Sequence, residues 1–255
     1  MERGHQTMGV RKGKNTIRKA GGYRAPISDV TILIQGELQI DSPVLKHVHK
    51  WAKIHYVIIS HYENEPEHIY HPSITYVRQL QNIKTHDAKE YLRSQCLTSI
   101  KGLEAVKTPY VIRLRTDEYY NLDKFIEQIL ANPGKLVSNN FLFCADRFYK
   151  FHPSDHLLGG QTLDMLDMFR ICLLKLSYGI WERLPEIMLM TSFLQLKGED
   201  IDQEKSKELM KRNVVLVPCD DLEPLYITDP VKQEVYRNAQ DIYRLGYCIR
   251  NMNLL

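Results

Sequence analysis

Positions 30–34 read Val-Thr-Ile-Leu-Ile, a β-branched apolar run that stops at Gln35-Gly36 and predicts a buried first strand. A helix-compatible stretch follows over 44–53. Positions 56–60 (Tyr-Val-Ile-Ile-Ser) are again strand-like, and after a polar, Pro-containing linker 74–77 predict a third strand. From 88 to 106 the apolar residues Tyr91, Leu92, Leu97, Ile100, Leu103 and Val106 recur every three or four residues, the spacing of an amphipathic helix. Thr108-Pro109 ends it. Positions 110–115 then predict a fourth strand, 122–130 a helix closed by Asn132-Pro133-Gly134, and 135–138 another strand. Two apolar helical stretches, 161–176 and 185–197, lead to a last strand at 214–217. Strands separated by helices imply an α/β fold with a mostly parallel central sheet flanked by helices. Neither an internal repeat nor a low-complexity linker breaks the pattern, so 27–255 is expected to form a single domain.

Composition narrows the class. A chain of 255 residues with 44% hydrophobic residues is long enough to bury one substantial core. A net charge of +3 excludes histone-like and polyacidic proteins. Residues 1–26 hold seven Lys or Arg against Glu2 alone, a local +6 that leaves −3 for the remainder. Such a segment cannot bury enough apolar surface to order itself, so a flexible basic tail is expected. A solvated tail is the plain reading, and peripheral contact with an anionic membrane is the functional one; no stable nucleic-acid partner is expected. Cys96, Cys144, Cys172, Cys219 and Cys248 lie far apart, with no CxxC pair and no zinc-ligand spacing. Scattered, odd-numbered thiols suit a reducing compartment, hence a cytoplasmic protein. The first 24 residues have no apolar core of the signal-peptide kind, and charges interrupt the most apolar stretch, 165–190, so no membrane span is expected.

Ligands of open parallel sheets bind beyond the carboxyl ends of the strands. Gln35-Gly36 closes the first strand there, where a glycine lets backbone approach a nucleotide or simply makes a turn. Arg115-Thr116-Asp117 closes the fourth. Asp117 is the natural ligand for Mg²⁺ or Mn²⁺, which can take its other oxygens from a diphosphate and water; equally, Asp117 can cap the next helix or pair with Arg115. Glu118, pointing the other way in an extended chain, is the weaker second ligand. Residues 144–156 form a loop dense in acids, histidines and aromatics, suited to a sugar or base or to no ligand at all. Glu186 follows Pro185 in the first turn of a helix, where the dipole should keep its carboxylate ionised. That position also suits a general base.

Taken together these segments resemble the WavE family of lipopolysaccharide-synthesis proteins, glycosyltransferases with a GT-A-like, Rossmann-like nucleotide-sugar fold. The resemblance spans 27–198. It rests on Ile32-Leu33-Ile34-Gln35-Gly36; on Gln95, Thr98-Ser99, Gly102 and Lys107-Thr108-Pro109-Tyr110; on Arg115-Thr116-Asp117; and most specifically on Phe151-His152-Pro153-Ser154-Asp155. Ser94 stands where the family tends to have Arg, and Glu37 where it has Pro. The resemblance implies a metal-dependent enzyme moving a sugar from a nucleotide-diphosphate donor to a glycan hydroxyl. Gln35, Gly36, Gln95 and Ser99 would border the donor nucleotide with Arg115 among the donor-binding residues, His152 and Asp155 would shape the donor or acceptor side, and Asp117 would hold Mn²⁺ or Mg²⁺. For an inverting reaction the base would be Glu186, or otherwise Asp155. A nucleotidyltransferase acting on a sugar phosphate and a non-catalytic polyanion- or glycan-binding module are the competing readings.

Overall fold

The computed structural model describes residues 28–39, 42–67, 69–79, 87–140, 149–182, 184–222 and 226–227. The basic segment 1–26, Cys144 and Cys248 lie outside them. Among the described residues the strands are β1 (Val30–Gln35), β2 (Tyr56–Tyr62), β3 (Ile74–Gln79), β4 (Tyr110–Arg115), β5 (Glu118–Tyr119), β6 (Leu136–Asn139), β7 (Leu157–Gln161), β8 (Val214–Val217) and β9 (Tyr226–Ile227). The helices are α1 (Val48–Trp51), α2 (Ala88–Glu104), α3 (Asp123–Ala131), α4 (Thr162–Ser177), α5 (Pro185–Leu196) and α6 (Ser206–Asn213).

Seven strands form one sheet in the order β3-β2-β1-β4-β7-β6-β8, and β5 pairs with β9 in a small second sheet. The chain builds outward from β1 to β2 and β3, then returns to lay β4 on the other side of β1, so the strand order reverses between β1 and β4. Every pairing in the main sheet is parallel except the two made by β7. The sheet is therefore mostly parallel, as expected.

Alternate residues of each strand feed two cores. Leu33, Ile58, Val111 and Leu158 face α2, α4 and α5. Ile32, Ile34, Val57, Ile59, Ile112, Leu114 and Leu157 face α1, α3 and the 3-10 turn at Pro43–Lys46. The result is a three-layer α/β/α arrangement. The helix expected over 44–53 is instead that 3-10 turn followed by the single turn of α1, and the helix expected from 161 begins one residue later, at Thr162.

β7 is the element the hydrophobic pattern does not announce. Its sequence, Leu157-Leu158-Gly159-Gly160-Gln161, has two glycines, the residues least suited to a strand interior. At Gly159 the reason is that α3 lies directly on it: a Cβ there would sit 2.4 Å from Ile129 Cδ1 and 2.8 Å from Phe125 Cε1. We expect Gly159→Ala to lower the unfolding free energy by about 1–3 kcal/mol through overpacking. Urea denaturation tests this, and an unchanged midpoint would show that α3 does not press on β7.

Candidate functional site

The reversal between β1 and β4 opens a crevice at the carboxyl edge of the sheet, where Gln35 and Arg115 lie side by side in register. β7 runs the opposite way, so the segment before it, ending in Asp155-His156, arrives at that same edge beside Leu114. The first half of α2 and the start of α5 complete the rim.

Gly36, at φ +131°, is the hinge of the β1 turn. A Cβ there would come within 3.1 Å of Thr116 Oγ1, whose hydroxyl donates to the Glu37 carbonyl at 2.6 Å. The close approach this glycine permits is thus to the neighbouring β4 loop. Gln35 is buried, donating its amide to Thr98 Oγ1 at 3.0 Å and accepting from Arg113 Nη2 at 2.5 Å.

Arg113 is the residue the sequence reading missed. It sits in the buried middle of β4, 1% exposed, with its other terminal nitrogen donating to the Asp155 carbonyl and its guanidinium 5.9 Å above the Phe169 ring. An arginine in the alternating run Tyr110-Val111-Ile112-Arg113-Leu114-Arg115 was the available signal. Burial pulls its pKa down, and the Asp155 charge opposes that. Asp155 is buried and accepts from Gln95 Nε2 at 2.8 Å. Burial works against its ionisation, but His156, Arg113, Arg115 and the Gln95 amide outweigh it and hold the pKa at about 2.

A second buried chain lies alongside. Glu118 is fully buried and receives the Tyr120 hydroxyl; His156 Nδ1 lies 2.5 Å from its Oε1 and Arg115 Nε 3.7 Å away. Although burial opposes it, the His156 and Arg115 partners keep the Glu118 pKa below its ordinary value. Arg115 itself clasps Asp117 through two bonds of 2.8 and 3.0 Å and donates to the Tyr91 hydroxyl at 3.0 Å. The pairing left open by the sequence is therefore present.

Asp117 remains 30% exposed while paired with Arg115. Among the described residues no group of three or more His, Cys, Asp and Glu is arranged to hold a metal ion. A carboxylate oxygen such as those of Asp117 is the donor type that a hard cation takes when water and a diphosphate supply its other ligands.

Ser99 lies one helical turn beyond Gln95 on α2, fully buried, its hydroxyl without a hydrogen-bond partner. The structure thus gathers Gln35, Gln95, Arg115, Asp117, His152, Asp155 and Glu186 around one edge, with Ser99 deeper in the α2 interface.

Glu186 departs from its expected electrostatics. It stands in the first turn of α5, 3.6 Å from His152 Nε2 and 19% exposed, but the helix dipole does not keep it ionised. Burial, reinforced by the Asp155 charge, pushes its pKa up to about 7. His152 is moved the other way, its pKa lowered by burial against the opposing pull of Asp155.

No model of a known protein family matches the chain, and no curated protein matches it. The described helices include none long and apolar enough to cross a membrane.

Glu186 is harder to ionise folded than unfolded, so the folded state holds an extra proton between pH 4.5 and about 7, and raising the pH through that window weakens folding. Asp155 acts oppositely: its contribution is full above pH 3.8 and is lost as the pH falls toward 2. We expect Glu186→Gln to be more stable than wild type at pH 8, by on the order of 1 to 3 kcal/mol, with the gain gone near pH 4. Thermal melts of both proteins across that range check the sign.

Proposed function

We propose that the protein is a glycosyltransferase that moves a sugar from a nucleotide-diphosphate donor to a glycan hydroxyl. The observation that carries this reading is the gathering, at one sheet edge, of a buried carboxylate with raised proton affinity, Glu186, and the Arg115–Asp117 pair at the β1/β4 reversal. The mostly parallel seven-stranded sheet is compatible with a GT-A-like fold, and the choice of glycosyl transfer comes from the sequence resemblance to the WavE family.

The donor lies across the reversal, its nucleotide toward Gln35, Gly36 and Gln95 and its diphosphate toward Arg115 and Asp117. Asp117 would hold Mg²⁺ or Mn²⁺, which neutralises charge on the departing diphosphate. Arg115, kept protonated by Asp117, adds a fixed positive charge beside the same group. Glu186 removes the proton of the acceptor hydroxyl. As that oxygen bonds to the anomeric carbon, the bond from carbon to the diphosphate oxygen breaks and its electron pair leaves with the nucleoside diphosphate. A base with a pKa of about 7 is half ionised at neutral pH yet basic enough to take the proton in the transition state.

A nucleotidyltransferase would use the same edge and cation to attack the α-phosphate. Product analysis separates the two: nucleoside diphosphate is the expected product, and pyrophosphate would overturn the assignment. The polyanion-binding alternative relies on residues 1–26, and loss of every ligand interaction on their removal would favour it. Cytoplasmic action on a glycoconjugate, with the basic tail touching a membrane, is part of the same proposal.

In a thermal-shift panel of nucleotide sugars, we expect stabilisation that grows with Mn²⁺, amounting to roughly 2.7 kcal/mol at a hundredfold excess over the dissociation constant. Asp117→Asn should keep the fold and lose most of the metal response; an unchanged response would remove Asp117 as the ligand. Glu186→Gln should lower kcat by roughly 10² to 10⁴ with donor affinity nearly unchanged. A fully active Glu186→Gln enzyme would take this residue out of the mechanism.

A further inference from the structure

The segment that carries His152 is held in a way its neighbours do not require. Phe151 is the one described residue other than glycine with positive φ, +57°, a conformation that a bulky side chain adopts only when its surroundings enforce it. Its ring is buried in the α4/α5 core and its backbone N–H donates to Ser206 Oγ at 3.3 Å. On the other side Pro153 biases His152 toward extended backbone. The backbone that carries the imidazole is thus set from both sides.

It is 6% exposed. Nδ1 is buried without a hydrogen-bond partner, and Nε2 lies 3.6 Å from Glu186 Oε2. That separation exceeds a hydrogen bond, as catalytic contacts often do before substrate binds. The other groups facing the pair are the Tyr149 ring, 5.6 Å from the imidazole, Asp155, and the positive field of Arg115 on Glu186.

We propose that His152 is the positioning residue of Glu186: its Nε2–H fixes Oε2 and leaves Oε1 free to take the acceptor proton. This inference rests on the glycosyl-transfer reading for its chemistry, and it narrows the donor- or acceptor-side role expected of His152 from sequence to the acceptor side. Binding the donor would call for an imidazole open to the crevice; this one is enclosed and turned toward a carboxylate on α5. Nδ1 faces no side-chain partner while Nε2 faces the Glu186 carboxylate, and the burial of the ring, on a backbone set by Phe151 and Pro153, keeps it in that orientation.

Two measurements test it. The first follows the His152 ring nitrogens by long-range ¹H–¹⁵N NMR from about pH 5 to 9, in the full chain and in Glu186→Gln. The expected result is a step in the Nε2 shift near the Glu186 titration that disappears in Glu186→Gln. Identical curves would overturn the proposal, whether or not any nucleotide sugar is turned over. The second compares two amides. His152→Gln places a nitrogen within reach of the Nε2 position and should restore most of the turnover. His152→Asn reaches only the Nδ1 position and should lose roughly 10- to 100-fold in kcat, with donor KM held and the acidic limb of the pH profile displaced. A raised donor KM with kcat kept in both variants would make His152 a donor contact instead. Absence of transfer by the wild-type protein would refute the glycosyltransferase reading while the NMR coupling still decides the pairing.

Discussion

A guanidinium buried in the middle of a parallel sheet sets the terms for everything at the carboxyl edge. Removing one charge from water costs several kcal/mol unless hydrogen bonds and an opposite charge compensate. Arg113 obtains these from Gln35 at the end of β1 and from Asp155 in the segment before β7. Both partners are constrained in turn. Gln35 is tied to Thr98 of α2, and Asp155 must stay ionised and is steadied by Gln95 from the same helix. One buried cation thereby locks two strands, one helix and one loop into a single arrangement. Because Arg113 ties Gln35 to the Asp155 segment and Gln95 bonds Asp155 in turn, the edge is organised by the protein's own groups.

That organisation also separates two carboxylates that would otherwise behave alike. Asp155 lies among cations and an amide donor and is ionised at any physiological pH, whereas Glu186 is buried facing the Asp155 charge and is not. The charge that balances Arg113 is the same charge that raises Glu186. Pairs of acids driven apart in this manner are how one site can supply both a fixed anion and a group that exchanges protons near pH 7. The electrostatics of the edge follow from the cost of burying Arg113.

How much of this is legible in the sequence depends on whether a residue's role is local. β1, β2, β4 and β8 are readable because strands buried on both faces must be continuous apolar runs. β7 is hidden because its Gly159 answers to Ile129 of α3, 30 residues earlier in the chain, and α6 is hidden because Ser206–Asn213 is mostly polar. The stripe Ser94, Gln95, Thr98 and Ser99 on the inner face of α2 breaks the apolar pattern, so hydrophobic periodicity does not single out its members. Glu186 was legible as a first-turn acid, but its proton affinity was not. A helix dipole can be read from position, while burial beside Asp155 is known only once the chain has folded. Arg113, Glu118 and His156 belong to the same category, since each makes sense only through partners distant in sequence.

The placement of β7 bears on how the chain is made. The four parallel strands through β4 are complete once Arg115 has been synthesised, whereas β6 and β8 join them only through β7. Until residue 157 and its successors emerge, the outer edge of β4 presents unpaired backbone groups, and Arg113 lacks its counter-charge. An apolar strand left open in that way is a template for wrong pairing with another nascent chain. The strand that closes the sheet also carries in the last of the charged residues around Arg113, so a ribosome paused between 115 and 157 would hold a half-sheet that is both adhesive and without its site.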